Sequence, residues 1–112
     1  MSKELDANKI QEMQMLEQNL QNLLLQKQAF QMEASETDAA LEEIKKSGDK
    51  VFKVIGQLMI QAEKDTIQKE LEEKKKIIDV RLKTLEKQEG SFSEKIEELR
   101  EEFMKSIEEK KE

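Results

Sequence analysis

The sequence predicts a fold dominated by α-helix: a long antiparallel coiled-coil hairpin with a short β-hairpin at its centre. Three observations predict it. The chain has no proline and only three glycines, and 41% of its residues are charged, which is the composition of long solvated helices rather than of a compact mixed domain. Apolar residues recur at alternating steps of three and four through both halves, the period of a coiled coil. Between the halves that period gives way to a short stretch rich in β-branched residues around one glycine. A length of 112 residues allows one domain, residues 1–112.

The first helix is expected over 3–46. Met13, Leu20, Lys27, Ala34 and Leu41 form one row of its heptads, and Leu16, Leu23, Phe30, Thr37 and Ile44 form the other. Only Lys27 and Thr37 are polar in that seam. Ser47-Gly48-Asp49 ends the helix, with Gly48 suited to the left-handed position after a helix C-terminus. The second helix is expected over 66–110, capped by Asp65 with Gln68 three residues on. Leu71, Ile78, Leu85, Phe92 and Leu99 take its d positions; Lys75, Leu82, Glu89, Ile96 and Phe103 take a. Glu70/Lys74 and Glu72/Lys76 are placed for pairs at i, i+4, each adding a few tenths of a kcal/mol.

The segment between them, 50–62, contains Val51-Phe52-Lys53-Val54-Ile55-Gly56-Gln57-Leu58-Met59-Ile60 and reads as two strands turning near Gly56. A continued helix is the alternative, and it would have to tolerate Gly48, Gly56 and the β-branched cluster together. Alternation puts Phe52 and Val54 on one face and Val51 and Ile55 on the other, with Leu58 and Ile60 opposite in sense to Met59. Both faces are therefore apolar. Burying such side chains is worth roughly 1.5–3 kcal/mol each, yet an isolated hairpin is marginal in water and has two open edges. Pairing with hairpins of other subunits, in a closed β-barrel or sandwich, would bury them. The alternative is that the hairpin tucks against the ends of its own helices. Val51, Phe52, Val54, Ile55, Gly56, Leu58, Met59 and Ile60 are the candidate assembly residues.

Gly56 stands at the midpoint of the 112 residues, so two arms of ~65 Å each would fold back on one another. Pairs whose numbers sum to 112 then match a with d throughout, from Met13–Leu99 to Leu41–Leu71. This register puts the two charged seam residues, Lys27 and Glu89, in neighbouring layers, where a contact between them would oppose slips of a heptad. Where the termini meet, apolar residues exceed what one seam uses: Ile10, Met13, Met15 and Leu16 on the first arm, and Leu99, Phe103, Met104 and Ile107 on the second. Methionine is flexible and polarizable, and recurs on promiscuous binding surfaces. Met13, Leu16, Leu99 and Phe103 also serve the seam; Met15, Met104 and Ile107 lie off it. A second off-seam stripe, Leu25, Ala29 and Met32, lines the flank of the first arm.

Composition also excludes chemistry. Without Cys or His there is no disulfide, no thiolate or imidazole metal site and no Cys/His or Ser/His nucleophile pair. A net charge of −6 disfavours nucleic acid and anionic membrane surfaces. Apolar runs such as Leu23-Leu24-Leu25 fall far short of the roughly 20 residues of a membrane span. No apolar export segment begins the chain, so a cytoplasmic location is expected. The 26 Asp and Glu fall on solvated helix faces with no concave site to perturb them, and Gly56 stands alone rather than in a phosphate loop. No enzyme activity, cofactor or metal is expected.

The order of heptad arm, hairpin around Gly56, second arm, and Arg81-Leu82-Lys83-Thr84-Leu85-Glu86-Lys87-Gln88-Glu89 resembles the prefoldin beta subunits, archaeal ones in particular. The hairpin and the Arg81–Glu89 run carry the specificity of the likeness; the heptads are generic. The resemblance implies a heterohexamer of two alpha and four beta subunits on a base of β-barrels. It implies that arm tips hold non-native polypeptides without ATP and pass them to a group II chaperonin. Gly90-Ser91 departs from it, replacing helix formers at a cost of about 1 kcal/mol for the glycine, and predicts a softer distal third of the second arm. A structural coiled-coil scaffold, or assembly adaptor with a specific folded partner, is the competing function.

Overall fold

A computed structural model describes the backbone of residues 2–111 and the side chains of residues 7–109. Two long helices, α1 (Ser2–Lys46) and α2 (Lys64–Lys111), flank two strands, β1 (Lys50–Ile55) and β2 (Leu58–Glu63). This is the helix-dominated class with a central β-hairpin that the periodicities predict. The strands pair antiparallel in the register Lys50↔Glu63 to Ile55↔Leu58. Gly56 begins the two-residue turn with φ of 58°, and among the described residues no side-chain-bearing residue shares a positive φ. A glycine at the first central position is what a II′ hairpin turn requires, and that turn matches the twist of the strands it joins.

Several expectations at the joints are corrected. Gly48 does not adopt the left-handed conformation; Ser47 closes α1 instead, its N–H and its hydroxyl both donating to the Ile44 carbonyl, at 3.3 and 2.8 Å. A hydroxyl that reaches back three residues meets an orphan carbonyl without needing glycine's freedom. No loop separates β2 from α2. The helix begins at Lys64, so Asp65 sits inside its first turn, where a carboxylate favours the N-terminal end of the helix dipole rather than acting as the cap. Lys64 donates its ammonium to the Ser47 carbonyl at 3.0 Å, tying the start of α2 to the end of α1. Gly90 lies within continuous α2.

The chain divides into two compact units: residues 29–83, and residues 1–28 with 84–112. In the first, Leu41, Ile44 and Ile78 are buried with Thr37, and Phe30, Ala34, Leu71, Lys75 and Leu82 are half-buried. The Thr37 hydroxyl donates to the Glu33 carbonyl at 2.8 Å, so a buried polar group is satisfied within its own helix. The Arg81 guanidinium lies over the Phe30 ring, 5.9 Å from its centroid. In the second unit Leu23, Leu85 and Ile96 are buried, flanked by half-buried Leu20 and Phe92. Every residue assigned to the a and d rows is buried or half-buried, as a 3.5-residue repeat facing a partner helix demands.

The expected pairs along α2 give way to pairs between elements. Glu70 accepts from Lys53 of β1 at 3.1 Å, and Lys74 reaches Glu33 of α1 at 3.3 Å. Gln68 donates to Glu72 at 3.3 Å. A neighbouring element offers oppositely charged partners at similar reach, and exposed pairs differ little in energy.

Candidate functional site

The hairpin presents apolar side chains on both faces. Cross-strand partners share a face, so Val54 and Met59 stand together with Phe52, while Ile55 and Leu58 stand with Ile60 on the other. Phe52, Val54, Ile55, Leu58, Met59 and Ile60 are exposed by 46 to 70%. Only Val51 and Ala62, paired at the helix-proximal end, are half-buried. The helices therefore cover the root of one face and leave the rest of the hairpin in solvent. Such a two-stranded sheet has unpaired backbone groups along both outer edges and no apolar layer beneath it. Its composition suits the interior of something larger.

At the other candidate surface the residues divide by heptad position. Met13, Leu16, Leu99 and Phe103 are half-buried in the seam of their unit. Met15 and Met104 are exposed by 65 and 54%, and Ile10 by 39%. Ile107, placed off the seam by its spacing, is nevertheless half-buried. In the same unit Lys9 pairs with Glu102 at 3.4 Å. Flexible thioethers thus stand beside seam residues whose burial is incomplete, a surface able to take irregular apolar shapes.

Lys27 and Glu89, the charged seam residues, meet at 2.9 Å. The hydrogen bond to Glu89 raises the Lys27 pKa above the ordinary lysine value. Asp38, 2.7 Å from Lys75, raises the Lys75 pKa in the same way, mainly through the hydrogen bond. A raised folded-state lysine pKa means that the pair's contribution is complete below the ordinary lysine range. It is lost as the pH rises through the raised value.

A polar hollow at the hairpin root is lined by Asp49, Gln61, Ala62, Glu63, Lys64 and Asp65. Among the described residues no group of His, Cys, Asp and Glu is placed to hold a metal ion, and no helix is long and apolar enough to cross a membrane. The structure also exposes Ile77 and Val80, by 71 and 65%, two apolar residues outside the a and d positions that heptad spacing does not single out. Leu25 and Met32 are similarly exposed, by 64 and 66%, and Ala29 is exposed as well.

The fold and its two apolar surfaces describe a subunit of a coiled-coil assembly, and known proteins specify which. The sequence model of the prefoldin subunit family matches residues 7–110. Prefoldin subunit beta of Pyrobaculum calidifontis is 38% identical over 90 residues, covering 79% of this chain and 72% of that protein. The subunit of the same name from Methanothrix thermoacetophila is 34% identical over 102 residues, covering 89% and 85%. The crystal structure of the prefoldin beta subunit from Thermococcus strain KS-1 superimposes with a TM-score of 0.84 at 34% identity, covering 91% of each chain. The chain belongs to the prefoldin subunit family, a family of chaperone subunits.

Proposed function

We propose that this chain is one subunit of an ATP-independent holdase, a chaperone that keeps non-native polypeptides from aggregating and delivers them to a group II chaperonin. The whole chain works as one prefoldin-type domain in the cytoplasm, without enzymatic activity. Its hairpin pairs with hairpins of prefoldin alpha subunits and of other beta subunits, in a heterohexamer of two alpha and four beta chains. The observation that carries the reading is the exposure of Phe52, Val54, Ile55, Leu58, Met59 and Ile60 on both faces of one thin sheet. A monomer would leave that area in water. Met15 and Met104, with the seam residues beside them, are then the grip on client chains: apolar, adaptable and without a shape that selects one folded partner.

The test is to replace Met15, Phe103, Met104 and Ile107 together with Ser. Removing four apolar anchors weakens binding of an unfolded client by about tenfold or more, and suppression of its aggregation falls with it. Native mass spectrometry with alpha subunits shows assembly unchanged, because the hairpin is untouched. Undiminished suppression would place the client surface elsewhere; a wild-type complex that protects no aggregating protein would favour the scaffold.

A further inference from the structure

Among the described residues, the outward face of α1 from Asn8 to Gln28 is poor in charge. Taking Met13, Leu20 and Lys27 as a, the outward positions b, c and f from Asn8 to Gln28 number nine and include no charged residue, in a chain that is 41% charged. All nine are exposed. Seven are Asn or Gln; the others are Met15 and Leu25. The equivalent positions of α2 in the same unit, from Thr84 to Glu108, carry a charge at seven of eleven. Solubility therefore does not require an uncharged face here. Gln21, Leu24, Leu25 and Gln28 line one shallow depression, and Gln14, Glu17, Gln18 and Gln21 line the next, so the two adjoin at Gln21. The one cation between Gln18 and Gln28, Lys27, is turned into the seam against Glu89.

We infer that the face of α1 from Gln14 to Gln28 is a docking strip for uncharged, extended segments of non-native polypeptide. The inference rests on the holdase reading and extends it from the terminal grip to the side of the arm. Side-chain amides both donate and accept, so a ladder of them meets the alternating N–H and C=O groups of any extended backbone without selecting its sequence. Leu24 and Leu25 supply the apolar floor. At b, c and f, Lys or Glu would impose a sign on the occupant and amides impose none; Glu17, at e like Leu24, is the one charged residue that lines the two depressions. The strip is about 21 Å long at 1.5 Å per residue, the length of about six residues of extended chain. A second copy of α1 is a poorer occupant. Gln18 and Asn22 interrupt the apolar residues between Met15 and Leu25, and a helix–helix seam needs apolar knobs at every turn.

The test compares three full-length variants with the wild type. Q18E/Q21E/L25E and Q18K/Q21K/L25K charge the strip with either sign, using good helix formers at outward positions. K87E/S91E makes the same change in net charge as the first variant, but on the outward face of α2. Fluorescence anisotropy is measured with two labelled peptides, one of Gly, Ser, Gln, Leu and Tyr, the other with Lys at every fourth position. Both strip variants bind the uncharged peptide about tenfold more weakly, the Glu variant gains affinity for the Lys peptide, and K87E/S91E holds the uncharged peptide as the wild type does. Undiminished binding by the strip variants overturns the inference, and so does an equal loss in K87E/S91E. A concentration-dependent self-association lost only in the strip variants would assign the face to a second copy instead. Wild-type protein that neither binds the uncharged peptide nor suppresses aggregation overturns the holdase reading as well. Wild-type protein that suppresses aggregation while the strip variants bind normally overturns the strip alone.

Discussion

At the scale of single residues, Lys27 and Glu89 show how a coiled coil turns an energetic defect into information. A charge in the seam gives up hydration that leucine would not need, yet here each is the other's partner at 2.9 Å, and a slip of one heptad would leave both facing apolar layers. K27L/E89L therefore keeps or gains thermal stability and loses uniqueness. Pulsed electron resonance between spin labels at Gln18 and Lys95 gives one narrow distance in the wild type. In the double variant a second population appears, displaced by about 10 Å of helix rise. Raising the pH through the elevated Lys27 pKa broadens the wild-type distribution in the same sense, since the neutral amine no longer attracts the carboxylate. A single unchanged distance in both experiments would remove the pair's role in register.

Gly90 makes the opposite case, a residue whose freedom is not used. It is exposed inside α2 with φ outside the left-handed region, and an added Cβ would meet nothing within 4 Å. Gly90→Ala accordingly raises stability by about 0.5–1 kcal/mol, mainly by restricting the unfolded chain. The urea midpoint moves up with an unchanged slope; a lower midpoint would show that the glycine relieves strain.

At the scale of elements, the hairpin and the helices divide the labour. The heptad rows were legible in the sequence because burial in a coiled coil follows a local rule: the residue at every 3.5 positions faces inward whatever the partner is. Leu23, Leu41, Ile44, Ile78, Leu85 and Ile96, all buried, are seam residues by spacing alone. The ends of the elements were less legible. Ser47 took the closing role that glycine chemistry would assign to Gly48, and β2 ran into α2 without a capping loop, because end geometry depends on which orphan groups a neighbour satisfies. Lys64, bonded across to Ser47, is such a neighbour. The assembly prediction belongs at this scale. Phe52→Asp with Ile60→Asp puts one charge on each face of the hairpin without touching the helices. Helicity by circular dichroism stays as in the wild type while association with alpha subunits, read by native mass spectrometry, is lost. An intact complex would mean that the hairpin is not the contact.

At the scale of the whole molecule, the proposed function rests on where apolar surface is left over. The hairpin has more than its unit covers, Met15 and Met104 have more than their seam uses, and α1 presents an uncharged flank. The hairpin surplus could be anticipated from Val51–Ile60, because alternation makes both faces apolar and one sheet has no inside. The flank was legible only in part. Leu25 announces itself, but a run of glutamines does not, and its meaning depends on knowing that those side chains point away from the seam.

By itself, the sequence determined the two helical periods, the residues that face inward along them, the turn at Gly56 and a composition without cysteine or histidine. Each of these follows from rules that act over a turn or two of chain, or from composition. The tertiary structure alone decided that Lys74 reaches Glu33 rather than a partner on its own helix, that Ser47 closes α1, and that Ile107 is half-buried. Those outcomes join or compare groups brought together from distant parts of the chain, and their free energies differ too little for spacing to rank them; only the packed arrangement sets which groups come within reach.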